Sequence, residues 1–254
     1  MKLVIHPNYQ LIKDSILNVV RSFDTTGFLL TKGSRNTIKI YETETVLLNV
    51  KSFKKPNILN QLVYKYFRDS KAKRSYTFGL KLIDKGIGTP QPIAFVENSG
   101  GLGLGTSYYV CEHINAKYTY RDLVENPYLE NHEFILRAFT QFCFKMHEAG
   151  VEFTDHSPGN TLIDVSDSSV NFYLVDLNRM NFHESMSFEM RMYNLRRLTP
   201  KKEMIAVMAN EYSKLYKEQS EDVIFEELWK QTSNFQEKFF RKQRLKKKYK
   251  FWKK

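Results

Sequence analysis

The stretch FTDHSPGNTLIDVSDSSVNFYLVDLNRMNF, residues 153–182, decides the fold. Two apolar runs, 161–165 and 170–175, flank the turn SDSS, which is typical of a β-hairpin. Asn160 stands just before the first run and Asp176 just after the second. Because opposed residues of an antiparallel pair lie about 5 Å apart, we expect an amide oxygen and a carboxylate to converge there.

The residues around this hairpin indicate a metal-assisted phosphoryl transfer. Carboxylate and amide oxygens are hard ligands that hold Mg²⁺ and leave positions for phosphate and water. Asp155 lies five residues before Asn160, on a loop constrained by Pro158 and Gly159, so it can accept or orient a hydroxyl proton. D-x-S-P-G-N alone is also a good turn sequence. A D-x-x-x-x-N loop, a hairpin and a following Asp, in this order, are the catalytic half of a kinase-type phosphotransferase.

The remaining segments fall into strand-like and helical patterns. Strand-like runs separated by short turns predict an antiparallel meander over 27–32, 37–42 and 45–53, and a hairpin over 88–97 and 106–114. Apolar residues at helical spacing predict helices over 9–23, 58–85, 132–149 and most of 186–250. The order is therefore a β-rich first half and a helical second half interrupted by one hairpin.

The β-rich half supplies a candidate nucleotide site. Lys51 lies near the end of the third strand, where a kinase places the lysine that contacts the α- and β-phosphates of ATP. Backbone N–H groups of the first turn can cover phosphates, which makes candidates of Gly33, Ser34 and Arg35. Residues 108–114, YYVCEHI, occupy the place of the segment that connects the lobes and reads adenine with its backbone. This segment makes binding candidates of Glu112 and His113.

Together these patterns predict an α+β, two-lobed, protein-kinase-like fold. Its N-terminal lobe combines an antiparallel sheet with a helix, and its helical C-terminal lobe contains one catalytic hairpin. The predicted parts are a nucleotide-binding N-lobe with an N-terminal helix, 1–110, a helical C-lobe with the catalytic loop and metal site, 111–237, and a basic aromatic tail, 238–254.

The positive charge of the chain is concentrated in this tail. The net charge is +11, and the last 17 residues hold ten of the 39 Lys and Arg and none of the acids. Residues 1–237 are therefore nearly neutral. Five aromatic residues interleave the charges of the tail, a combination that suits an anionic membrane surface. The same combination also suits nucleic acid, which we regard as the weaker alternative. A third interpretation is a solvated helix end that only aids solubility.

Composition excludes several other classes of protein. With 42% hydrophobic residues the chain can bury a core, and it is neither disordered nor collagenous. Its two cysteines cannot form a disulfide framework, which favours a reducing compartment. No signal peptide and no apolar run of membrane-spanning length is recognisable. We therefore expect a soluble, cytoplasmic protein.

Several segments resemble one family, the lipopolysaccharide kinase (Kdo/WaaP) family, in its bacterial, Bacteroides-type branch. They are NVKSF, RDSKAKRSYTFGLKLIDKGIGTPQPIAFVE, TSYYVCEHI, FTDHSPGNTLI and YLVDLNRMNF, within about residues 20–200. The resemblance implies ATP, a divalent metal (Mg²⁺ or Mn²⁺) and phosphorylation of a sugar hydroxyl of the lipopolysaccharide inner core, on Kdo or heptose. The matched positions are Lys51 for ATP phosphate, Asp155 for catalysis, and Asn160 and Asp176 for metal.

Two features bear on the acceptor and on activity. Thr154 and Ser157 stand where protein-substrate kinases carry Arg and Lys, and no A-P-E follows Asp176, so a compact non-protein acceptor fits better. Kinases pair the phosphate-binding lysine with a Glu, but residues 57–83 contain one acid, Asp69, and Thr77 stands at the expected position. A kinase of a soluble small molecule and a weak pseudokinase acting as a binding module therefore stay open.

Overall fold

A computed structural model describes residues 1–34, 36–55, 57, 68–100, 103–166 and 169–251, with side chains up to residue 246. The chain divides into two compact units, Met1–Asn115 with Leu174–Arg179, and Ala116–Tyr173 with Met180–Lys254. The segment Leu174–Arg179, which begins at the end of the predicted hairpin, therefore belongs to the first unit. The functional boundary after residue 110 stays a prediction.

The first unit is built on a six-stranded antiparallel sheet with the order β1-β5-β6-β4-β3-β2. Its elements are β1 (Lys2–Ile5), a 3₁₀ helix (Pro7–Ile12), α1 (Lys13–Arg21), β2 (Phe28–Lys32), β3 (Asn36–Glu42), β4 (Leu47–Phe53), α2 (Lys71–Asp84), β5 (Pro92–Gly100) and β6 (Gly103–Glu112). The predicted meander and the predicted hairpin are both confirmed. They join into one sheet because β4 pairs with β6.

Strand periodicity decides what each face of this sheet contacts. Successive side chains of a strand point to opposite faces, so Leu48 and Val50 of β4 pack with Ile16 and Val20 of α1. Phe53, on the other face, packs with α2. The position of Lys51, two residues before Phe53, places it on the face of α2. Both faces of β4 therefore carry a buried apolar cluster, and Lys51 shares the face of the cluster that includes Phe53.

The second unit is mainly helical. Its elements are β7 (Tyr118–Thr119), α3 (Tyr120–Glu125), α4 (His132–Glu148), β8 (Val151–Phe153), a 3₁₀ turn (Pro158–Asn160), β9 (Thr161–Ser166), β10 (Ser169–Leu174), β11 (Met180–Phe182), α5 (Phe188–Leu195), α6 (Lys202–Leu215) and α7 (Glu221–Phe251). β10, β9 and β7 form a small sheet, and β11 pairs with β8. Side chains from these helices form one core, which includes Phe139, Met192, Met208, Tyr212 and Leu228.

Most element predictions are confirmed; the differences are the unpredicted short strands β1, β7, β8 and β11 and the bounds of one helix. Strand β1 was not predicted, because KLVI is a short run at the start of the chain, yet it pairs with β5 at the sheet edge. Of the predicted helix 58–85, the structure describes Lys71–Asp84 as α2, and 58–67 lies outside the described residues.

Gly150 ends α4 with φ +70°, and a Cβ there would lie 2.0 Å from the carbonyl oxygen of His183. Within the described ranges, no helix has the length and apolar character needed to cross a membrane.

Candidate active site

Lys51 and Asp176, two of the predicted site residues, form an ion pair within the first unit. The Nζ atom of Lys51 donates to Oδ1 of Asp176 over 2.5 Å, and the lysine side chain is 10% exposed. This Nζ atom also lies 5.5 Å from the ring centroid of Phe53. The predicted phosphate-binding lysine and the predicted metal-binding aspartate are thus brought into direct contact.

The backbone at Asp176 has an unusual conformation that its neighbours hold in place. Its φ is +62°, in the left-handed region that Asp adopts more readily than most residues. The Nδ2 atom of Asn178 donates to Oδ1 of Asp176 over 2.6 Å. Arg74, buried on α2, donates through Nη1 to the carbonyl oxygen of Asn178 over 2.8 Å. Helix α2 therefore fixes the segment that presents the carboxylate.

Sequence reasoning missed both Arg74 and Asn178. The signal for Arg74 was a charged residue beside Ala72 and Tyr76, on the face of α2 that turns out to be buried. The signal for Asn178 was a side-chain amide two residues after the predicted metal ligand. The Glu that kinases place on this helix is absent from α2. Among the residues that the structure describes, the acid paired with Lys51 is Asp176, and α2 contributes a buried arginine instead.

The donor set at Asp176 fits a hard divalent cation. Both hydrogen bonds to its carboxylate use Oδ1, while the side chain is 32% exposed. Since both of these bonds use Oδ1, Oδ2 is the carboxylate oxygen that has the chemistry of a Mg²⁺ ligand. No group of three or more His, Cys, Asp or Glu residues that could hold a metal is present among the described residues. A metal here would therefore need water, phosphate or amide oxygens as well.

The predicted catalytic loop lies in the second unit, between β8 and β9. Nδ2 of Asn160 donates to the carbonyl oxygen of Asp155 over 2.8 Å, which closes the loop across its five residues. The backbone N–H of Asn160 donates to the carbonyl oxygen of Ser157. Since the amide nitrogen is used within the loop, the amide oxygen of Asn160 is the atom left for a ligand. The metal-binding role of Asn160 stays a prediction.

Residues of α5 and the turn after it hold the catalytic loop. Arg197 donates through Nη1 to Oδ1 of Asp155 over 2.6 Å and to the carbonyl oxygen of Thr154 over 3.4 Å. Asn194 donates through Nδ2 to the carbonyl oxygen of Phe153 over 2.9 Å. Neither residue was predicted, because both lie about 40 positions after the loop in a stretch whose pattern is simply helical. The carboxylate of Asp155 is thus oriented from outside its own loop.

His156, beside the predicted catalytic aspartate, is a core residue. Its ring is 1% exposed and packs 5.4 Å from the ring of Phe153 and 5.9 Å from that of Phe139. Burial lowers the pKa of this histidine to about 4, so it is neutral at physiological pH. Neither ring nitrogen has a hydrogen-bond partner in the described part of the chain. Its contribution to the site is packing beneath the loop.

The candidates for covering the phosphates lie in and around the turn between β2 and β3. Gly33 and Ser34 form the β2–β3 turn, but the N–H of Gly33 donates to the carbonyl oxygen of Asn36 and is therefore used within the turn. Ser34 is exposed, and Arg35 lies outside the described residues. Of the backbone N–H groups predicted to cover phosphates, that of Gly33 is therefore already used in a hydrogen bond within the turn.

Glu112 and His113 lie at the end of β6, as predicted for the connecting segment. Their N–H groups donate to the carbonyl oxygens of Gln91 and Leu47, respectively. The side chain of Glu112 accepts a 2.5 Å hydrogen bond from the hydroxyl of Tyr9. Burial lowers the pKa of His113. Because these two N–H groups are taken, backbone donation to an adenine ring would have to come from the residues after His113.

Comparisons with known proteins agree with this fold. The family model described as "Lipopolysaccharide kinase (Kdo/WaaP) family" matches residues 25–218. A solved structure described as WaaP in complex with acyl carrier protein is similar, with a TM-score of 0.60 and 15% sequence identity over 94% of this chain and 98% of that chain. No curated protein matches the chain. The predicted α+β fold, with an N-terminal antiparallel sheet and a helical C-terminal region, is confirmed, and the Bacteroides-type branch stays a prediction.

Proposed function

This chain belongs to the lipopolysaccharide kinase (Kdo/WaaP) family, and from that premise we propose that it transfers the γ-phosphoryl group of ATP to a sugar hydroxyl of the lipopolysaccharide inner core. The observation that carries the proposal is the ion pair between Lys51 and Asp176. It joins the two residue types that a kinase needs beside the phosphates, and the two lie 125 positions apart in the chain. An acceptor on Kdo or on heptose is equally compatible with these residues.

Lys51 would hold the α- and β-phosphates. Its ammonium is nearly buried, so its attraction for phosphate is screened less than at an exposed site. From the turn that contains Gly33, the backbone of Ser34 and Arg35 would cover the phosphates, since the N–H of Gly33 donates to Asn36. The backbone at Glu112 and His113, together with the N–H of Ile114, would read adenine.

Asp176 and Asn160 would supply a carboxylate and an amide oxygen to Mg²⁺ or Mn²⁺. A divalent cation bound there would neutralise charge on the phosphate oxygens of the nucleotide. Asn178 and Lys51 orient the carboxylate through Oδ1, which leaves Oδ2 as the ligand atom. The hydrogen bond from Asn160 to Asp155 orients the amide in the same way.

Asp155 would orient the acceptor hydroxyl and take its proton. In the transfer, the hydroxyl oxygen forms a bond to the γ-phosphorus while the bond from that phosphorus to the β,γ-bridging oxygen breaks. ADP leaves with the electron pair of that bond, and the hydroxyl proton passes to the Asp155 carboxylate. Positioning of this kind provides much of the rate in phosphoryl transfer, because the transition state needs little covalent help from the protein.

The basic tail, 238–254, would dock the enzyme on an anionic membrane or glycolipid surface of the inner membrane, on the cytoplasmic side where ATP is present. Helix α7 continues to Phe251, and its apolar residues Phe239, Phe240 and Leu245 are 48%, 53% and 47% exposed. Exposed rings among basic residues favour a lipid interface over a solvated helix end. Nucleic acid is the weaker alternative.

An acyl carrier protein is a candidate protein partner. The similar structure is described as WaaP in complex with such a protein. Co-elution of the two purified proteins on gel filtration would support the partnership for this chain. Separate elution at concentrations of tens of micromolar would argue against a stable complex.

Nucleotide binding is tested by thermal unfolding with and without Mg²⁺-ATP, for the wild type and for Asp176→Ala. A ligand at 100 times its dissociation constant stabilises by about 2.7 kcal/mol, which for a chain of this size raises Tm by roughly 5–10 °C. We expect this shift to require the metal and to be lost in Asp176→Ala. No shift at millimolar Mg²⁺-ATP would favour the alternative of a binding module. That alternative is suggested by the absence of a Glu on α2.

The acceptor is tested by transfer of label from [γ-³²P]ATP to dephosphorylated core lipopolysaccharide. The same assay with the free sugars, and with the chain truncated after Glu237, separates the alternatives. A lipid-linked acceptor should need the tail for full rate. A soluble acceptor that is phosphorylated equally well by the truncated chain would favour the small-molecule kinase.

A further inference from the structure

Arg197 contacts the carboxylate of Asp155, and the helix that carries the basic tail contacts Arg197. We propose that Arg197 is a positioning residue for Asp155, and that Phe235 of α7 holds the guanidinium in place. The proposal rests on the proposed function, because it takes Asp155 as the residue that receives the acceptor hydroxyl. It assigns to the tail-bearing helix a part in catalysis that is separate from membrane docking.

The contact between Arg197 and the loop is close and shielded. Nη1 lies 2.6 Å from Oδ1 of Asp155, and the two side chains are 27% and 21% exposed. The same nitrogen lies 3.4 Å from the carbonyl oxygen of Thr154. A charge-assisted hydrogen bond of this length is among the stronger ones in proteins. Because one guanidinium contacts the side chain and the preceding carbonyl, it fixes both the rotamer of Asp155 and the backbone that carries it.

This fixation matters for transfer. A carboxylate that rotates freely points one oxygen at the acceptor hydroxyl for only part of the time. With Oδ1 held by Arg197, the direction of Oδ2 is defined as well. Misplacement of a catalytic group by about 1 Å can reduce a rate about 100-fold. Arg197 is therefore expected to affect the transfer step and to leave nucleotide binding unchanged.

Phe235 contacts the guanidinium of Arg197 from α7. The centroid of its ring lies 5.4 Å from Cζ of Arg197, within the range of a cation–π interaction. Nε of Arg197 is buried and has no hydrogen-bond partner among the described residues. Orientation of the guanidinium therefore depends on the Asp155 carboxylate, the Thr154 carbonyl and this ring. Loss of the ring would leave the arginine free to turn away from Asp155.

Phe235 is also continuous with the proposed docking segment. Its ring stacks on that of Phe239, with 6.2 Å between centroids and an interplanar angle of 25°. Phe239 is the second residue of the basic tail and is half exposed. A surface that binds the tail would therefore contact Phe239, whose ring stacks on that of Phe235, and Phe235 in turn contacts Arg197.

Arg196 provides a matched control. It precedes Arg197 in the same turn, and its Cζ lies 5.9 Å from the ring of Phe235. Its Nη1 atom donates to the carbonyl oxygen of Tyr193, and its guanidinium also lies over the Tyr193 ring. Arg196→Ala therefore removes one positive charge and one contact with Phe235, and it keeps the residue that donates to Asp155 and Thr154.

The test measures single-turnover transfer from [γ-³²P]ATP to dephosphorylated core lipopolysaccharide, together with the Kd for Mg²⁺-ATP. For Arg197→Ala we expect transfer to fall about 100-fold and the Kd to change little. Added methylguanidinium should restore part of the rate, and Arg197→Lys should be intermediate. Phe235→Leu should slow transfer about tenfold, a smaller effect than loss of the arginine, while Arg196→Ala stays near the wild type.

Transfer by Arg197→Ala at the wild-type rate would overturn the proposal, as would a loss that methylguanidinium leaves unchanged. If the wild type transfers no label at all, the proposed function has failed, and the pairing of Arg197 with Asp155 is then tested by a separate measurement. Melting temperatures of Asp155→Asn, Arg197→Ala and the double variant show whether the two residues are coupled. Non-additive shifts support the pairing, and additive shifts overturn it whatever the acceptor is.

Discussion

Lys51 and Asp176 form a direct ion pair, with the ammonium of the lysine 2.5 Å from one carboxylate oxygen. The contact gives Lys51 an acidic partner although α2 places no acid against it in the described structure. It also ties the proposed phosphate-binding group to the proposed metal ligand. Changes to either residue should therefore affect nucleotide binding and transfer together.

Replacement of Lys51 is expected to remove most activity. Lys51→Met deletes the ammonium and leaves the carboxylate of Asp176 without its charged partner, so we expect kcat/KM for ATP to fall about 100-fold or more. Lys54→Met is the matched control, because Lys54 is exposed three residues further on. Steady-state kinetics with varied Mg²⁺-ATP measure the effect. Equal losses in both variants would show that Lys51 has no specific role.

The anchor between α2 and the Asp176 segment is expected to contribute to stability. Arg74→Ala removes a buried, charged hydrogen bond to the carbonyl oxygen of Asn178, which should cost about 2–3 kcal/mol. For a chain of this size, that loss lowers Tm by roughly 5–10 °C.

The neighbouring Lys73→Ala serves as the control for this prediction. Lys73 pairs with Asp69 at the surface, so its loss should cost less than about 1 kcal/mol. Calorimetry of both variants makes the comparison. Equal melting temperatures for Arg74→Ala and the wild type would contradict the anchoring role.

Burial of neutral His156 should make the fold sensitive to mild acid. Its pKa is lowered to about 4 by burial, so between about pH 6.5 and pH 4 the unfolded chain binds a proton that the folded chain excludes. Stability therefore falls as the pH falls through this window, by a few kcal/mol for a shift of this size.

His156→Leu keeps the contacts with Phe139 and Phe153 and has no ring nitrogen to protonate. We expect its Tm to fall less steeply between pH 6.5 and pH 4 than that of the wild type. His147, which is also buried and whose pKa is lowered to about 3, leaves part of the dependence in place. Parallel Tm curves for the two proteins would contradict this assignment.

The tail should bind anionic vesicles through both charge and rings. Arg241→Glu with Lys242→Glu reverses two exposed charges and should weaken binding to phosphatidylglycerol vesicles by about 1 kcal/mol or more for each residue. Phe239→Ser with Phe240→Ser should weaken binding with less dependence on salt. Co-sedimentation at two salt concentrations measures both effects. Equal binding of the wild type to neutral phosphatidylcholine vesicles would exclude a charge-driven surface.

Local patterns were enough to predict most of the fold. The alternation of apolar residues in β3 and β4 and the helical spacing in α4 are properties of short segments, so the sequence shows them directly. Strand β1 was missed because four residues carry too little periodicity. Its place at the sheet edge comes from pairing with β5, about 90 positions away.

The site was predictable only where its residues follow a motif. Asp155, Asn160 and Asp176 stand at fixed distances from strands, so their positions could be inferred from spacing. Arg74 and Arg197 act through contacts with residues 104 and 42 positions away. No local pattern distinguishes such arginines from others on a helix or in a turn, and tertiary packing alone reveals their roles.

The most direct test of the central claim is phosphoryl transfer by Asp155→Asn. The substitution keeps the size of the side chain and removes its capacity to take a proton. Mg²⁺-ATP binding and transfer of label to core lipopolysaccharide are measured on the same preparation. The account predicts unchanged nucleotide affinity and a rate lowered by about 10²–10⁴. Transfer at the wild-type rate would contradict it.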